Sequence, residues 1–437
     1  MPVVASEIVL ERLRGLPGGA ALLDLAAQRA DVELVGGAVR DLLLGREPRE
    51  LDVVVGGGAD AFAQDARLFA EELGTRLSAL TGVGCPAGTS EHERFGTALV
   101  AWEGGRIDVA TRRAESYAAP GALPDVRAGT EREDLARRDF TVNAIAVRLG
   151  GDSAGELRAV PDALDDLERG RLRVLHERSF SEDPTRLLRL ARYAARLGFT
   201  VEEHTAELAA AAIRGRALDT VSGARIGAEL RLALTEADAV ASLAALSELG
   251  VLVALHPRLR FEEPVMRATL ALLPDDGRPD LALLTALVLP LALRAEGDRS
   301  EIGRRAEIVA LLDRWDFPAG DRDRVASAAG AVPRLIDELP AAVRPSQLRA
   351  VARSAPLEGV ALAGALGCEQ PARRWLGDTR HVRLQITGDD LLAAGIPEGP
   401  EIGRRLEAVL QRRLDGELPI GRDAELRAAQ EGGHGGG

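Results

Sequence analysis

Val35-Gly-Gly-Ala-Val-Arg-Asp41, followed by Arg49-Glu-Leu-Asp-Val-Val-Val55, is the stretch that decides the architecture. It sets a glycine turn and an arginine just before an apolar strand that opens on two carboxylates. Residues alternate faces along a strand, so Glu50 and Asp52 point the same way, and two oxygen ligands side by side suit Mg²⁺ shared with a triphosphate. Gly36 and Gly37 can bring backbone N–H groups close to phosphate oxygens, and Arg40 offers a charged fork. A third acid, Asp108 in Arg106-Ile-Asp-Val-Ala110, sits on another apolar strand. Three acids on neighbouring strands form a constellation for two-metal phosphoryl transfer. Each piece alone also has a structural reading, as a plain turn or a solvated strand edge.

Outward from this stretch, residues 7–30 read as helical, and 32–35, 51–55, 97–102 and 107–110 as strands. Residues 59–73 carry the apolar spacing of a helix, whereas 81–93 and 111–133 are interrupted by Gly and Pro and read as loops. Beyond about residue 150 no strand pattern is evident. Helices follow, with breaks expected at 274–279, 296–300, 318–322 and 339–345, and the glycine-rich end at 432–437 is expected to be disordered. The fold class expected is therefore α+β multidomain, a head with a mixed β-sheet and helices followed by an all-α remainder.

Composition fits a cytoplasmic enzyme of several packing units. The 437 residues are 46% hydrophobic, and no apolar run approaches a membrane span. Cys85 and Cys368 lie far apart, with no Cys-x-x-Cys or paired His beside them, and read as free thiols. The net charge of −13 opposes RNA binding, and every basic residue is Arg. Arginine binds phosphate as a bidentate fork, so local clusters can outweigh the total within a Debye length of about 8–10 Å. Such clusters occur at Arg373 and Arg374, Arg380 and Arg383, Arg404 and Arg405, and Arg412 and Arg413. Each is equally readable as a solvated helix face with i,i+4 partners.

Ser179-Phe-Ser-Glu-Asp-Pro-Thr-Arg186 offers two helix starts: Ser179 with Glu182 as a capping box, or Asp183 as N-cap with Pro184 at the first helical position. The second is preferred. Asp183 and Arg186 can then meet as an ordinary i,i+3 pair, or can read a base. Arginine supplies only donors and a carboxylate only acceptors, so one such pair can match both cytosine and adenine while an N–H at guanine N1 or uracil N3 meets no acceptor on the arginine.

Four blocks together carry a resemblance: Gly36–Asp41 with Glu50 and Asp52; Arg137-Arg-Asp-Phe-Thr-Val-Asn143; Glu182-Asp-Pro-Thr-Arg186; and Ile386-Thr-Gly-Asp-Asp-Leu391 with Gly399-Pro400. The chain resembles the class II tRNA nucleotidyltransferases, which include the CCA-adding enzymes and the bacterial poly(A) polymerases. One departure is Glu50, where the family usually has Asp. The resemblance implies a nucleotidyltransferase head over 1–150, a base-recognising neck over 151–222, a helical body over 223–345 and a tRNA-binding tail over 346–437. It implies Mg²⁺ on Glu50 and Asp52, with Asp108 as the third catalytic acid, and places Arg138, Asp139, Arg189 and Arg192 around the nucleotide. Asp139 would then accept a ribose hydroxyl, and Asn143 would bind nucleotide or support the turn. In the family, the 111–133 region is a flexible loop that helps switch from C to A addition. The expected activity is template-independent addition of CCA to tRNA from CTP and ATP. The alternatives are a CC-adding, A-adding or poly(A)-forming relative, and, in another class, a non-catalytic RNA-binding protein.

Overall fold

Apolar alternation along Val32–Val35 (β1) and Leu51–Val55 (β2) builds the centre of a six-stranded sheet whose order is β3-β4-β2-β1-β7-β8. The other members are Thr97–Trp102 (β3), Gly105–Thr111 (β4), Ile145–Arg148 (β7) and Leu157–Ala159 (β8). Only β2 and β4 run parallel; the remaining pairs are antiparallel, so the sheet is mixed. The computed structural model describes residues 6–56, 64–81, 96–293 and 301–431. Contacts divide the chain into two units, Met1–Ser222 with Leu249–Val251, and Gly223–Glu248 with Leu252–Gly437.

In the first unit, helix Gln64–Thr81 (α4) lies against β2, β3 and β4, with Phe69, Ala70 and Leu73 buried. The opposite face carries Val35, Val54 and Ala146, closed by Leu135 of the short helix Glu131–Ala136 (α5). Asp52 shares its face with Val54, and Asp108 with Ala110, so the carboxylates stand on the α5 side. Farther along that face, buried Glu33 takes Arg112 at 3.0 Å and also Arg158, and Arg158 in turn pairs with Glu131 of α5. These ion pairs tie both ends of the 113–128 segment to the sheet.

Several elements differ from the sequence expectation. Residues 7–30 form two helices, Ser6–Arg14 (α1) and Gly19–Ala26 (α2), because Gly15, Pro17 and Gly18 interrupt the run, Gly18 at φ 74°. The region expected as an irregular loop folds as a hairpin of Arg113–Ser116 (β5) and Asp125–Ala128 (β6). Strands also continue past residue 150, as β8 and the two-residue pair Arg171–Leu172 (β9) with Thr200–Val201 (β10). All are too short for alternation to declare itself. The loop at 82–93, the break at 296–300, the glycine end at 432–437 and Cys85 lie outside the described residues.

The second unit is helical. Breaks fall where expected between Leu272 and Pro279 and between Glu338 and Pro345, whereas the one expected at 318–322 comes earlier, between Arg314 and Ala319, with 319–322 already helical. Cys368 is a buried free thiol, and among the described residues no helix is long and apolar enough to cross a membrane. Glu358, fully buried, accepts from both ends of the Arg324 guanidinium at 2.8 and 2.9 Å and from the Arg278 N–H at 3.0 Å. Removing it with Glu358→Ala strands that N–H and one charge, and urea unfolding should show a loss of about 2–3 kcal/mol.

Candidate active site

Parallel pairing of β2 with β4 sets Asp52 opposite Asp108, while Glu50 stands one step before β2. All three line a cavity of about 360 Å³ together with Arg106, Arg113, Arg137 and Arg138. Burial, followed by the charges of Glu50 and Asp108, pushes the Asp52 carboxyl up to about 7, against the opposing pull of Arg138. Arg106 bridges the other two acids, at 2.5 Å from Glu50 and 3.0 Å from Asp108. Sequence reasoning passed over Arg106, although it lies two residues before Asp108 and so on the same face.

Crowded carboxylate oxygens that retain a proton and draw in a guanidinium are the donor set and charge deficit that suit a hard divalent cation. Among the described residues no three acidic, His or Cys side chains enclose a metal by themselves. A cation here would therefore be held by Asp52 with Glu50 or Asp108, its remaining positions open to phosphate oxygens and water.

Behind this cavity, α5 is capped by a Thr130–Glu133 box and delivers Asp134, Arg137 and Arg138. Burial alone would raise the Asp134 carboxyl, but Arg137 at 2.8 Å and Arg138 at 3.0 Å outweigh it and hold it at about 2. Arg137 also reaches Glu115 of the hairpin at 3.0 Å, and Glu115 accepts from Arg113 and from the Tyr117 hydroxyl. Arg137 thus joins the carboxylate cavity to a second cavity of about 410 Å³, lined by Glu115, Tyr117, His176, Glu182 and Arg186.

Gly36 adopts φ 70°, ψ −133°, and a Cβ there would stand 2.7 Å from Arg138 Nη1, so only glycine lets that arginine approach. Gly37 opens helix Gly37–Leu43 (α3). Arg40 does not present the phosphate fork expected of it. It is 1% exposed and binds Asp41 at 2.8 Å and Asn143 Oδ1 at 2.5 Å. Helical geometry turns it inward, where two acceptors satisfy its charge. Asn143 passes the chain on to Asp139 Oδ1 at 2.9 Å, which also takes the Phe140 N–H, while Asp139 Oδ2 meets Arg189 at 2.6 Å. Asp139 thus takes two protein hydrogen bonds on Oδ1 and an ion pair on Oδ2. Arg40, Arg189 and Arg192 lie within 5.5, 5.9 and 4.8 Å of the Tyr193 ring, so the arginines expected near phosphate gather around one aromatic residue.

The Glu182–Arg186 block divides into a single turn, Ser179–Glu182 (α7), and helix Arg186–Leu197 (α8). Asp183 is extended and its Oδ1 accepts from the Thr185 N–H at 3.1 Å and hydroxyl at 2.6 Å, but α8 starts two residues later than preferred from sequence, with Thr185 at its N-cap. Arg186, 4% exposed, donates to Ser179 Oγ at 2.7 Å and to the Arg137 carbonyl at 2.8 Å. Neither of these acceptors is the Asp183 carboxylate expected as its i,i+3 partner.

In the second unit, Thr387 caps Gly388–Ala393, and Gly399 precedes Pro400–Leu414, giving the turn and two helices expected of the last block. The arginine clusters find acids one turn away: Arg373 pairs with Glu369 at 2.8 Å, and Arg404 and Arg405 with Glu401 at 2.8 and 2.7 Å. Arg374 donates to the Val343 carbonyl, Arg413 lies 3.7 Å from Glu425, and Arg380 grips Asp276 at 2.6 Å. Arg412 is half-buried near the end of its helix. Most of this charge is locally compensated, with Arg373 and Arg404 retaining 59% and 75% side-chain exposure.

Residues 32–173 match the poly A polymerase head domain, and residues 198–262 match the probable RNA- and SrmB-binding site of polymerase A. Over 98% of the chain, the sequence is 34% identical to an A-adding tRNA nucleotidyltransferase of Geobacter sulfurreducens, but the chain spans only about half (49%) of that protein's length. It is 30% identical to a CCA-adding enzyme of Lacticaseibacillus paracasei, over 91% of this chain and 92% of that one. The Thermotoga maritima CCA-adding enzyme, solved in complex with tRNA_CCA, superposes with a TM-score of 0.72 at 25% identity, covering 99% of this chain and all (100%) of the other. With in-register acids on a mixed sheet, a glycine turn beside them and relatives matched along nearly the whole sequence, the chain belongs to the tRNA nucleotidyltransferase and poly(A) polymerase family.

Proposed function

We propose that this chain is a template-independent CCA-adding tRNA nucleotidyltransferase using CTP and ATP. The observation that carries it is the shared wall at Arg137: a carboxylate cavity suited to transfer chemistry adjoins a cavity bearing Arg186, in a chain that parallels a CCA-adding relative from end to end. Asp52, with Glu50 and Asp108, would hold Mg²⁺. When bound, that cation lowers the cost of deprotonating an RNA 3′-hydroxyl and of charge on departing pyrophosphate. The protein's own groups position the rest. Arg138, beside Gly36, offers its guanidinium toward phosphate near Asp52. Asp139, Asn143 and Arg40 form the buried frame that holds Arg189, and Arg192 joins it through Tyr193. Transfer itself forms a bond from the 3′-oxygen to the α-phosphorus and breaks the bond to the bridging oxygen of pyrophosphate.

A full hairpin between Arg113 and Ala128 supports A addition as well as C addition, since its Glu115 and Tyr117 wall the Arg186 cavity and can reshape it for a larger base. A second reading, A addition alone, is favoured by the Geobacter sulfurreducens relative at 34% identity. The exposed Arg373 and Arg404, with Arg374, Arg405, Arg412 and Arg413 near them, are the tail residues proposed to meet RNA phosphates.

Supplied with tRNA lacking its terminus, labelled CTP and ATP, the protein should extend it by CCA. A product formed only from tRNA already ending in CC, with CTP refused, would establish the A-adding reading instead.

Cation affinity should follow the Asp52 proton. Below about 7 the ion must displace that proton, so Mg²⁺ affinity should fall by up to about tenfold per pH unit on the acid side and level off above it. Titration calorimetry in two buffers of different ionisation enthalpy measures the released proton. In the same window the folded state binds more protons than the unfolded chain, so fold stability declines as pH rises from the ordinary carboxyl range through about 7. Asp52→Asn should therefore abolish transfer, erase the pH dependence of Mg²⁺ binding, and melt higher than the native protein at about pH 8 in chelator, with the difference gone at about pH 3.

A further inference from the structure

We propose that Ser179 is a positioning residue that sets nucleotide selectivity by fixing the plane of Arg186. The inference rests on the reading of Arg186 as the base-reading group. Ser179 is fully buried (0% exposed), opens the single turn α7, and its Oγ accepts from Arg186 Nη1 at 2.7 Å. The Arg137 carbonyl accepts from Nη2 of the same guanidinium at 2.8 Å. An arginine has several rotatable bonds and a planar set of five donors, so one anchor leaves the plane free to turn whereas two anchors on different nitrogens define it. Base discrimination by donors alone depends on that plane, because a tilted fork can offer an N–H to the O2 of uracil while avoiding its N3–H.

Both anchors belong to elements that do other work. The Arg137 carbonyl is fixed because the Arg137 side chain is locked between Asp134 and Glu115. Ser179 is fixed because its N–H donates to the His176 carbonyl at 3.1 Å and its carbonyl accepts from the Asp183 N–H at 3.2 Å. The α7 turn therefore holds, through one hydroxyl, an arginine on the following helix. An alanine at this position would keep the turn and the packing and remove only the acceptor.

The test compares native protein, Ser179→Ala, Ser179→Cys, Ser179→Thr and Arg186→Ala for incorporation of each of the four nucleotides into tRNA lacking its terminus, with thermal melts confirming folding. Arg186→Ala should lose preference for CTP and ATP over UTP and GTP. Ser179→Ala and Ser179→Cys should lose about tenfold or more of that preference, the size expected for one hydrogen bond to a charged group, with the KM for CTP and ATP raised more than kcat is lowered. Ser179→Thr, which keeps an acceptor oxygen, should recover most of the preference. Native selectivity in folded Ser179→Ala and Ser179→Cys, beside lost selectivity in Arg186→Ala, would overturn the proposal and leave Arg186 as the reader. Native selectivity in Arg186→Ala would overturn both.

Discussion

Like charge held at close range is the constraint on which the first unit is built. Strand register brings Asp52 opposite Asp108, and Glu50 completes a trio of acids. Burial first, and then the nearby charges of Glu50 and Asp108, are why Asp52 keeps its proton up to about 7. The surroundings answer with guanidinium groups. Arg106 staples Glu50 to Asp108, and Arg138 faces Asp52 from the far wall. An arrangement so costly to assemble marks a candidate functional site rather than a structural one.

Those arginines need acids of their own, and this requirement propagates outward. Arg137 and Arg138 are held by buried Asp134, Arg137 and Arg113 by Glu115, and Arg189 by Asp139. Arg40, inside the head, reaches Asn143 and thence Asp139, so the glycine turn, the Arg137–Asn143 segment and α8 are one connected polar frame. In such a network removal of a single member strands its partners, so position is specified more tightly than stability requires. The same principle explains why a net charge of −13 does not bar an anionic substrate. Acids are placed behind arginines as supports, and the donors that remain face the cavities.

The hairpin shows how specificity can be attached to this frame. Its base is tied at Arg112 to Glu33 and, through Arg158, to Glu131, while Glu115 and Tyr117 reach forward to the Arg186 cavity. The tip is held as well, the Gly121 N–H donating to the Ser181 and Glu182 carbonyls at 3.3 Å, so the wall is joined to the α7 turn beside the Arg186 cavity. In the second unit the balance is different. There, acids such as Glu369 and Glu401 sit one helical turn from their arginines, and local pairing absorbs most of the positive charge that sequence clustering advertises.

Sequence alone determined the central strands, the glycine turn, the helical second half and the three acids that line the carboxylate cavity. Each of those depends on short-range rules: two-residue alternation, the backbone freedom of Gly36, and proline at helix breaks. Tertiary structure decided what those residues face. Arg40 and Arg186 carry the same donors wherever they stand, but burial turns the first toward Asn143 and the second toward Ser179 and the Arg137 carbonyl. Arg106 acquires its role because parallel pairing puts β4 beside β2, and β5 to β8 exist as strands because neighbours complete their hydrogen bonds, not because their few residues insist on it. Side-chain type is written locally, whereas the partner that satisfies a buried charge comes from residues scores of positions away, and only the folded chain brings them within hydrogen-bonding distance.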